Sequence, residues 1–469
     1  MGLIFEQIHT PGIAQLSYLL GDDSKGIACV IDPRPDVDGY LELARKNALS
    51  ITHVFETHIH ADFLSGGLEL KRRLPSAKVF CSHEGGARYG FDHEKLKAGD
   101  SFEFGDLILT AIHTPGHTPE HISFVAAETK RPNTPWGVFS GDSLFADSAG
   151  RPDIKGGERE TQKLAGQLFT SMTKFYAKLD DGVTIYPGHG AGSSCGPDIG
   201  DRRSTTIGYE KKHNRFLQFQ NQKEFVEYTT STATPVPTYY VPMKKLNQKG
   251  PPTFGNLPPV PALPAGSFKE AIAQRGTVLV DTRSMLGFGG GYIKGALNIG
   301  ARAELSPWAG WMLKFNDSIL LVLEKDERLN EVIPYLWRVG MTQFAGYLVG
   351  GMKAWDNAGF ELEQIPQITV HDLKKAGRKM QILDVRALAE WKCGHIPGAK
   401  HFFVPDVREN IDQFDQTQPI ATYCDSGYRA SLAASILKQE GFQSVCTIPG
   451  SWQAWKKAGY PIEGGEMGR

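Results

Sequence analysis

Residues 57–63 read THIHADF and follow directly on the apolar run ITHVFE, which ends at Glu56. Imidazole and carboxylate groups spaced this closely are donors that transition metals bind. Three further apolar runs end at a glycine beside a histidine or an aspartate. They are Pro115-Gly116-His117, Ser140-Gly141-Asp142 and Pro187-Gly188-His189. Because α/β folds place their sites in loops at strand ends, we expect these four stretches to converge on one metal ion.

Length and composition describe an ordinary globular chain, with 469 residues, 41% hydrophobic and 22% charged. At ~150 residues per domain, this length corresponds to about three domains. The net charge of −1 excludes a strongly basic nucleic-acid-binding protein and predicts no membrane partner. No apolar run approaches the ~18 residues of a membrane span, and the N-terminus does not resemble a signal peptide. Six scattered cysteines predict free thiols in a reducing compartment, so we expect a cytoplasmic protein.

Histidine is unevenly distributed, because 11 of the 14 histidines lie between His9 and His213. This predicts two kinds of chemistry in the two halves of the chain. Residues 249–265 contain six prolines, which favour stiff extended chain and predict a linker. An ordered wall of the first domain is the alternative interpretation of this segment. We therefore predict a first domain at 1–248, followed by the proline-rich segment.

The chain beyond residue 265 contains an internal repeat. Val280-Asp281-Thr282-Arg283 matches Leu383-Asp384-Val385-Arg386, and later glycine and tryptophan positions repeat at nearly the same offset. Each copy alternates short apolar strands with helix-like segments, which predicts a parallel sheet covered by helices. The sequence thus predicts two copies of one small α/β domain, at 266–363 and 364–469.

The motif order in the first half resembles the metallo-β-lactamase superfamily, whose fold is an αββα sandwich. The opening motif of that family is HxHxDH, and its members often bind two zinc ions. Here Phe63 replaces the last histidine of the motif. Because phenylalanine offers no lone pair to a metal, the departure favours one metal ion over two. The resemblance covers about residues 1–245.

The persulfide dioxygenase branch of this superfamily fits the motif set better than the zinc hydrolases do. The resemblance implies one Fe(II) ion per chain, with His58, His117 and Asp142 as ligands. Two imidazoles and one carboxylate on one face leave open positions opposite, as non-haem Fe(II) oxygenases require. The resemblance also implies residues that line the pocket or orient the ligands. These are His60, Asp62, His189 and Arg151. For the last of them, a structural salt bridge is favoured over direct catalysis.

A second site is predicted where the apolar run PIATY meets a helix-like segment, at Cys424-Asp425-Ser426-Gly427-Tyr428-Arg429. Consecutive N–H groups of a tight loop and the start of a helix both attract an anion. They stabilise thiolate over thiol, and Arg429 adds a fixed positive charge. We therefore predict that Cys424 is a nucleophile that carries a persulfide. The loop around it consists of Asp425, Ser426, Gly427 and Tyr428.

The CxxGxR pattern of this loop resembles the active-site loop of rhodaneses, which are sulfurtransferases. The D-x-R stretch at Asp384 and the HIPGA turn at His395 carry the resemblance across about residues 365–465. In the first repeat the aligned loop runs from Leu323 to Arg328, without thiol or glycine and with added acidic groups. The first copy is therefore predicted to be a degenerate packing or docking domain, and the second to be an active rhodanese.

Together the resemblances imply a bifunctional enzyme of sulfide detoxification. A low-molecular-weight thiol persulfide would be oxidised by O2 to sulfite and thiol, and a persulfide on Cys424 would convert sulfite to thiosulfate. The reverse rhodanese reaction is also chemically allowed. Relatives imply a homo-oligomer, either a dimer or a tetramer. A further sulfur-handling role is open for Cys195, which we expect on a flexible loop after His189.

Two other functions stay open at this point. One is a di-zinc thioester hydrolase of the glyoxalase II kind fused to a sulfurtransferase, against which Phe63 argues. The other is a sulfur-carrier or docking protein with an idle metal fold. Metal content and persulfide-dependent oxygen uptake discriminate the two enzymes. The variant Cys424→Ser distinguishes a carrier protein from the dioxygenase. A carrier would lose all sulfur chemistry, whereas a dioxygenase would still form sulfite.

Overall fold

The structure is a computed structural model that describes residues 2–154, 156–232 and 235–465. The chain divides into two compact units. One contains the residues up to Leu257 together with Pro334–Gly340, and the other contains Pro258–Ile333 and the residues from Met341 onward. Among the described residues, we find no helix with the length and hydropathy of a membrane span.

Two six-stranded sheets form the centre of the first unit. In the first sheet the strands lie side by side in chain order. They are β1 (Leu3–Thr10), β2 (Gln15–Asp22), β3 (Ile27–Ile31), β4 (Ser50–Glu56), β5 (Lys78–Ser82) and β6 (Glu94–Leu96). In the second sheet the order is β12-β11-β10-β9-β8-β7. Its strands are β7 (Ser101–Phe104), β8 (Leu107–His113), β9 (Ile122–Glu128), β10 (Gly137–Gly141), β11 (Thr184–Pro187) and β12 (Thr205–Thr206).

Helices cover both outer faces of this pair of sheets. They are α1 (Asp38–Lys46), α2 (Gly67–Arg73), α3 (Glu158–Lys174), α4 (Ile207–His213), α5 (Arg215–Gln218), α6 (Gln222–Ser231) and α7 (Tyr240–Lys249). Phe55 and Phe124 belong to the core between the sheets. Tyr40 of α1 and Leu168 of α3 belong to the two outer cores. Burial of each such side chain stabilises the fold by about 1.5–3 kcal/mol relative to leaving it exposed. Two sheets covered by helices on both outer faces confirm the predicted αββα sandwich.

Part of the proline-rich segment packs on the first unit. The backbone N–H groups of Phe254 and Gly255 each donate to the buried Glu69 carboxylate of α2, at 2.7 Å. Arg72 donates to the carbonyl of Thr253 at 2.8 Å. These bonds satisfy a buried carboxylate that would otherwise be costly. Residues 253–255 therefore pack against α2 of this unit.

The second unit contains two parallel sheets, with strand orders β13-β17-β16-β14-β15 and β19-β18-β20-β21. The strands are β13 (Ala262–Leu263), β14 (Thr277–Asp281), β15 (Leu297–Asn298), β16 (Ser318–Val322), β17 (Phe344–Leu348), β18 (Gln381–Asp384), β19 (Lys400–His401), β20 (Ile420–Tyr423) and β21 (Val445–Thr447). The helices are α8 (Ala265–Ile272), α9 (Met285–Gly290), α10 (Leu305–Met312), α11 (Leu329–Arg338), α12 (Gly351–Asn357), α13 (Val370–Ala376), α14 (Leu388–Lys392), α15 (Tyr428–Gln439) and α16 (Ser451–Lys457). Of α11, the residues from Pro334 onward belong to the first unit. Strands alternating with helices in both copies confirm the predicted α/β class.

The internal repeat is visible in one buried ion pair that occurs twice. Arg386 donates to both oxygens of the Asp384 carboxylate and, at 2.8 Å, to the carbonyl of Gly394. In the first copy Arg283 makes the same bonds to Asp281 and to a glycine carbonyl. The D-x-R stretch thus closes the loop after the first long strand of each copy, and its role here is structural.

We expect Arg386→Met to lower the free energy of unfolding by about 3–5 kcal/mol, because it leaves the Asp384 carboxylate buried without its charge partner. The matched control is Arg131→Met, which removes an exposed pair with Glu128 and should cost about 0–1 kcal/mol. Guanidinium unfolding of both variants measures the difference. Equal losses in the two variants would show that the buried pair has no special structural role.

Candidate metal centre and thiol site

Three predicted ligands meet at the carboxyl ends of strands in the first unit. His58 follows β4, His117 follows β8, and Asp142 directly follows β10. One donor atom from each lies within 4.8 Å of the other two. The Oδ2 atom of Asp142 is 3.5 Å from Nε2 of His117 and 3.9 Å from Nε2 of His58. All three side chains are at most 2% exposed, so the structure brings together residues that are far apart in sequence.

The hydrogen-bonding state of these groups fits a metal ion. Nε2 of His58 and Oδ2 of Asp142 are buried and have no hydrogen-bond partner within the described ranges. Nδ1 of His117 donates to the carbonyl of Arg151 at 2.9 Å, which leaves Nε2 as the donor atom to a metal. Burial lowers the pKa of both histidines well below the ordinary value, so both are neutral. Neutral imidazoles beside a carboxylate are the protonation states that metal binding requires.

His121 holds the backbone next to Asp142. The Asp142 N–H donates to Nε2 of His121 at 3.0 Å, and burial lowers the pKa of His121 to about 3, so this nitrogen accepts. Gly141 has a φ of +48°, and a Cβ there would lie 2.6 Å from Nε2 of His121. Glycine is therefore required at this turn. The sequence does show a histidine four residues after His117, but this residue belongs to none of the recognised motifs and was therefore not predicted.

His189 bridges two carboxylates beside the three ligands. Its Nδ1 lies 2.7 Å from Oδ1 of Asp142, and its Nε2 lies 2.8 Å from Oδ2 of Asp62. Burial alone would lower the pKa of His189, but Asp142 and Asp62 raise it to about 10. A cationic imidazole therefore orients the Asp142 carboxylate. This places His189 and Asp62 around the centre, where the sequence predicted supporting residues.

His60 is turned toward a second pair of carboxylates that sequence reasoning missed. Its Nε2 lies 3.1 Å from Oδ1 of Asp32 and 3.2 Å from Oε2 of Glu56. Burial alone would lower the pKa of His60, but these carboxylates raise it well above the ordinary value. A protonated imidazole has no lone pair for a metal. Asp32 and Glu56 each stand at the end of a buried strand, which is the signal that could have found them.

Phe63 occupies the position of the last motif residue. It is fully buried, and its ring centroid lies 4.3 Å from that of His60. Its hydrocarbon ring fills the space beside His60 without offering a donor atom.

Cys195 belongs to another group of side chains that could hold a metal ion, together with Asp62 and His189. The Cys195 thiol is 1% exposed, and its Sγ lies 3.8 Å from the Tyr240 hydroxyl, so the expected flexible loop is a packed one.

Arg151 supports the centre through its backbone and its side chain. Its carbonyl accepts the bond from His117 described above, and its guanidinium donates to both oxygens of Asp153 at 2.7 and 2.8 Å. Burial alone would lower the pKa of Arg151, but Asp153 raises it. The salt bridge fixes the loop that orients a ligand. This geometry agrees with the structural role that the sequence favoured.

The thiol site lies where β20 meets α15. The N–H of Gly427 donates to Sγ of Cys424 at 3.1 Å, and the N–H of Cys424 donates to the Ser451 hydroxyl at 3.3 Å. Gly427 has a φ of +109°, which lets the chain turn directly into the helix. The sulfur thus faces the first N–H groups of a helix of 12 residues. The N–H groups at the start of this helix stabilise a sulfur anion.

The other loop residues have different surroundings. The Tyr428 hydroxyl donates to the carbonyl of Gly300 in the first copy at 2.9 Å, and the Arg302 guanidinium lies 4.2 Å from the Tyr428 ring. The Asp425 carboxylate accepts bonds from Gln453, and Ser426 is exposed. The loop around Cys424 therefore contacts the first copy through Tyr428.

Arg429 makes a bidentate ion pair with Glu390, at 2.5 and 2.7 Å. Burial alone would lower the pKa of Arg429, but Glu390 and Cys424 raise it. The positive charge predicted beside the sulfur is present, and it is held in place by an acid that sequence reasoning missed. Glu390 lies 39 positions earlier in the chain, and no local pattern indicates this contact.

The same pair predicts a pH dependence of stability. Burial alone would raise the pKa of Glu390, but Arg429 holds it below its ordinary value. A carboxyl with a lowered folded-state pKa stabilises the fold above its unfolded pKa of about 4.3 and loses this contribution at lower pH. The free energy of unfolding of Glu390→Gln should therefore be lower than that of the wild type at pH 7. This difference in free energy should narrow as the pH falls toward about 3.5. A difference that widens toward acid pH would contradict the ion pair.

The aligned loop of the first copy has no equivalent chemistry. Leu323 is buried where the second copy has its cysteine. Arg328 pairs with Glu331 at 2.8 Å and donates to the carbonyl of Ala301. This copy therefore has neither a thiol nor an arginine directed at one.

Comparison with known proteins separates the two parts of the chain. The family profile of the metallo-beta-lactamase superfamily matches residues 10–189, and that of the rhodanese-like domain matches residues 264–358 and 369–458. Persulfide dioxygenase ETHE1 of Bos taurus is 30% identical over 194 residues, which are 40% of this chain and 68% of that protein. The chain belongs to the metallo-β-lactamase superfamily.

Other relatives show how far this likeness extends. A metallo-β-lactamase crystal structure from Staphylococcus aureus has 31% identity and a TM-score of 0.64, and covers 74% of this chain and 98% of its own. Hydroxyacylglutathione hydrolase of Trichormus variabilis is 35% identical over 134 residues, which are 29% of this chain and 51% of the relative. The chain spans about half the length of this relative. It has a metallo-β-lactamase fold with persulfide dioxygenase homologues, followed by two rhodanese-like domains.

Proposed function

We propose that this metallo-β-lactamase-fold enzyme is a non-haem Fe(II) persulfide dioxygenase fused to a rhodanese sulfurtransferase. The observation that carries the proposal is the buried group of His58, His117 and Asp142. Phe63, which offers no donor atom, packs against the neighbouring His60. Two nitrogens and one oxygen on one face suit Fe(II) with open positions. Fe(II) held there would supply the redox chemistry with O2. The balanced reaction is RSSH + O2 + H2O → RSH + SO3²⁻ + 2H⁺.

The residues around the centre have defined tasks in this proposal. His58 and His117 are neutral donors, and Asp142 supplies the anionic one. His189 and His121 fix the Asp142 side chain and backbone, at 2.7 and 3.0 Å. The three donor side chains are at most 2% exposed, which strengthens the electrostatic interactions within the group.

The thiol site would use the product of the metal centre. The Cys424 thiolate attacks the sulfane sulfur of a persulfide, forms an S–S bond and releases the thiol RSH. Sulfite then attacks the outer sulfur of the Cys424 persulfide, which yields thiosulfate and regenerates the thiolate. The Gly427 N–H and Arg429 lie where they stabilise the sulfur anions of both states.

One experiment tests the metal centre against the hydrolase alternative. After anaerobic loading with iron, we expect about one Fe per chain and oxygen uptake that depends on added persulfide, with sulfite as product. Loading with zinc and assay with a thioester substrate is the parallel measurement. Thioester hydrolysis with two bound zinc ions and no persulfide-dependent oxygen uptake would overturn the proposal.

A further inference from the structure

Helix α11 lies in the first rhodanese-like copy of the chain, but its last residues pack with the first unit. Residues 334–340, which we call the inserted segment, cluster with the chain that ends at Leu257. Trp337 and Arg338 of this segment are 2% and 8% exposed. The Trp337 ring meets that of Phe254 edge to face, with 5.7 Å between the ring centroids. The first unit therefore contains a short segment that is distant in sequence from the rest of it.

The side chain of Arg338 binds the loop that follows β3. Its guanidinium donates to both oxygens of the Asp36 carboxylate, at 2.9 and 2.6 Å. The two side chains are only 10% and 13% exposed, and Arg34 contacts the same carboxylate at 3.0 Å. A bidentate pair of this kind fixes the orientation of both partners as well as balancing their charges. Arg338 therefore holds the loop around Asp36 in one position.

The same loop begins at Asp32, whose buried carboxylate orients a predicted metal ligand. The N–H and the hydroxyl of Thr57 donate to the two oxygens of Asp32, at 2.7 and 2.8 Å. Because the hydroxyl proton points to Asp32, the Thr57 oxygen accepts from Nδ1 of His58 at 2.9 Å. This bond selects the form of the imidazole in which Nε2 carries the lone pair for a metal. The loop held by Arg338 thus contributes to the orientation of His58.

The backbone of Arg338 binds a second loop of the metal centre. Its carbonyl accepts from the N–H of Leu64 at 2.7 Å. Leu64 directly follows Phe63, whose ring packs against His60. One residue of the inserted segment therefore bonds to two loops, and each of these loops carries residues that surround the predicted ligands.

The second rhodanese-like copy shows that the fold of these copies does not need an arginine here. When the alignment of the two loops is extended to the helices that follow them, Gln439 of α15 stands at the position of Arg338. Gln439 donates to the carbonyl of Gly295 at 2.7 Å. The helix forms with either residue, so the arginine of the first copy has a role outside the rhodanese-like fold.

We propose that Arg338 is a positioning residue for the metal centre, which a helix of the first rhodanese-like copy supplies to the loops that carry His58 and Phe63. It acts through Asp36 and the backbone and touches no donor atom. The inference concerns the arrangement of the metal centre, so it goes beyond the proposed reaction and does not depend on it.

Arg338→Gln in the full chain tests the proposal, because it introduces the residue of the second copy and removes the pair with Asp36. We expect the affinity for Co(II), bound in place of Fe(II), to fall by about tenfold, as for other residues that support a ligand. The visible absorption bands of the bound Co(II) should shift as well. In the metal-free protein, the amide hydrogens of Thr57 and Leu64 should exchange faster with solvent.

Arg328→Gln is the matched control, because it removes an ion pair with Glu331 immediately before the same helix. It should change neither the Co(II) affinity nor the exchange rates. Arg338→Lys keeps the charge without the paired donors. It should show the changes of Arg338→Gln to a smaller extent, and it decides the test if Arg338→Gln does not fold.

The inference is overturned if the Arg338 variants keep the Co(II) affinity, the absorption bands and the exchange rates of the wild type. It is also overturned if Arg328→Gln changes them equally, since the effect would then be a general loss of helix stability. Absence of persulfide-dependent oxygen uptake in the wild type would contradict the proposed function instead. The Co(II) and exchange measurements would still decide the role of Arg338.

Discussion

His117→Ala is expected to reduce persulfide-dependent oxygen consumption at least about 100-fold, since loss of residues that merely support a ligand already costs 10–100-fold. The substitution removes one of the three donors, so that only His58 and Asp142 remain to bind a metal ion. It also removes the bond to the carbonyl of Arg151. Sulfur transfer by Cys424 should continue, because Cys424 belongs to the other compact unit.

Oxygen-electrode measurements, iron content and a sulfurtransferase assay on the same preparation check this result. The matched control is His213→Ala, which removes an exposed imidazole at the end of α4 and should leave all three quantities unchanged. Retention of both iron and oxygen uptake in His117→Ala would show that His117 is not a ligand. Loss of sulfur transfer as well would indicate a general folding defect.

Cys424→Ser is expected to abolish thiosulfate formation while oxygen uptake continues. Serine has a similar shape and keeps the bond from the Gly427 N–H, but its hydroxyl does not carry a sulfane sulfur. Sulfite should therefore accumulate in proportion to the oxygen consumed. Quantifying sulfite and thiosulfate together tests this expectation.

Cys393→Ser is the matched control, because it removes an exposed thiol from the same rhodanese-like domain. It should leave thiosulfate formation unchanged. If Cys424→Ser also stopped sulfite formation, the chain would act as a sulfur carrier without dioxygenase activity. The opposite phenotypes of His117→Ala and Cys424→Ser would identify two independent reactions.

The sequence predicted the features of this molecule that depend on short motifs. Strand-end turns carry His58, His117 and Asp142, so convergence at one edge followed from the fold class. The CxxGxR loop was equally informative, because the loop and the helix that follows it are adjacent in the chain. Local patterns of this kind determine local geometry directly.

The charge partners of these residues were not predicted. Asp32 reaches His60 across 28 positions, and Glu390 reaches Arg429 across 39. Isolated acids are common on surfaces, and only the packed fold shows which of them are buried beside a cation. The packing of Cys195 against Tyr240 was missed for the same reason, since the contact joins distant segments.

The repeated Arg–Asp pair separates architecture from chemistry in the two rhodanese-like domains. The first copy has the pair of Arg283 and Asp281 and a five-stranded sheet, although Leu323 stands where the second copy has Cys424. A rhodanese-like domain can therefore keep its architecture without a thiol at this position. What such a domain still supplies is a contact surface, to which the second copy binds through the bond from Tyr428 to the carbonyl of Gly300.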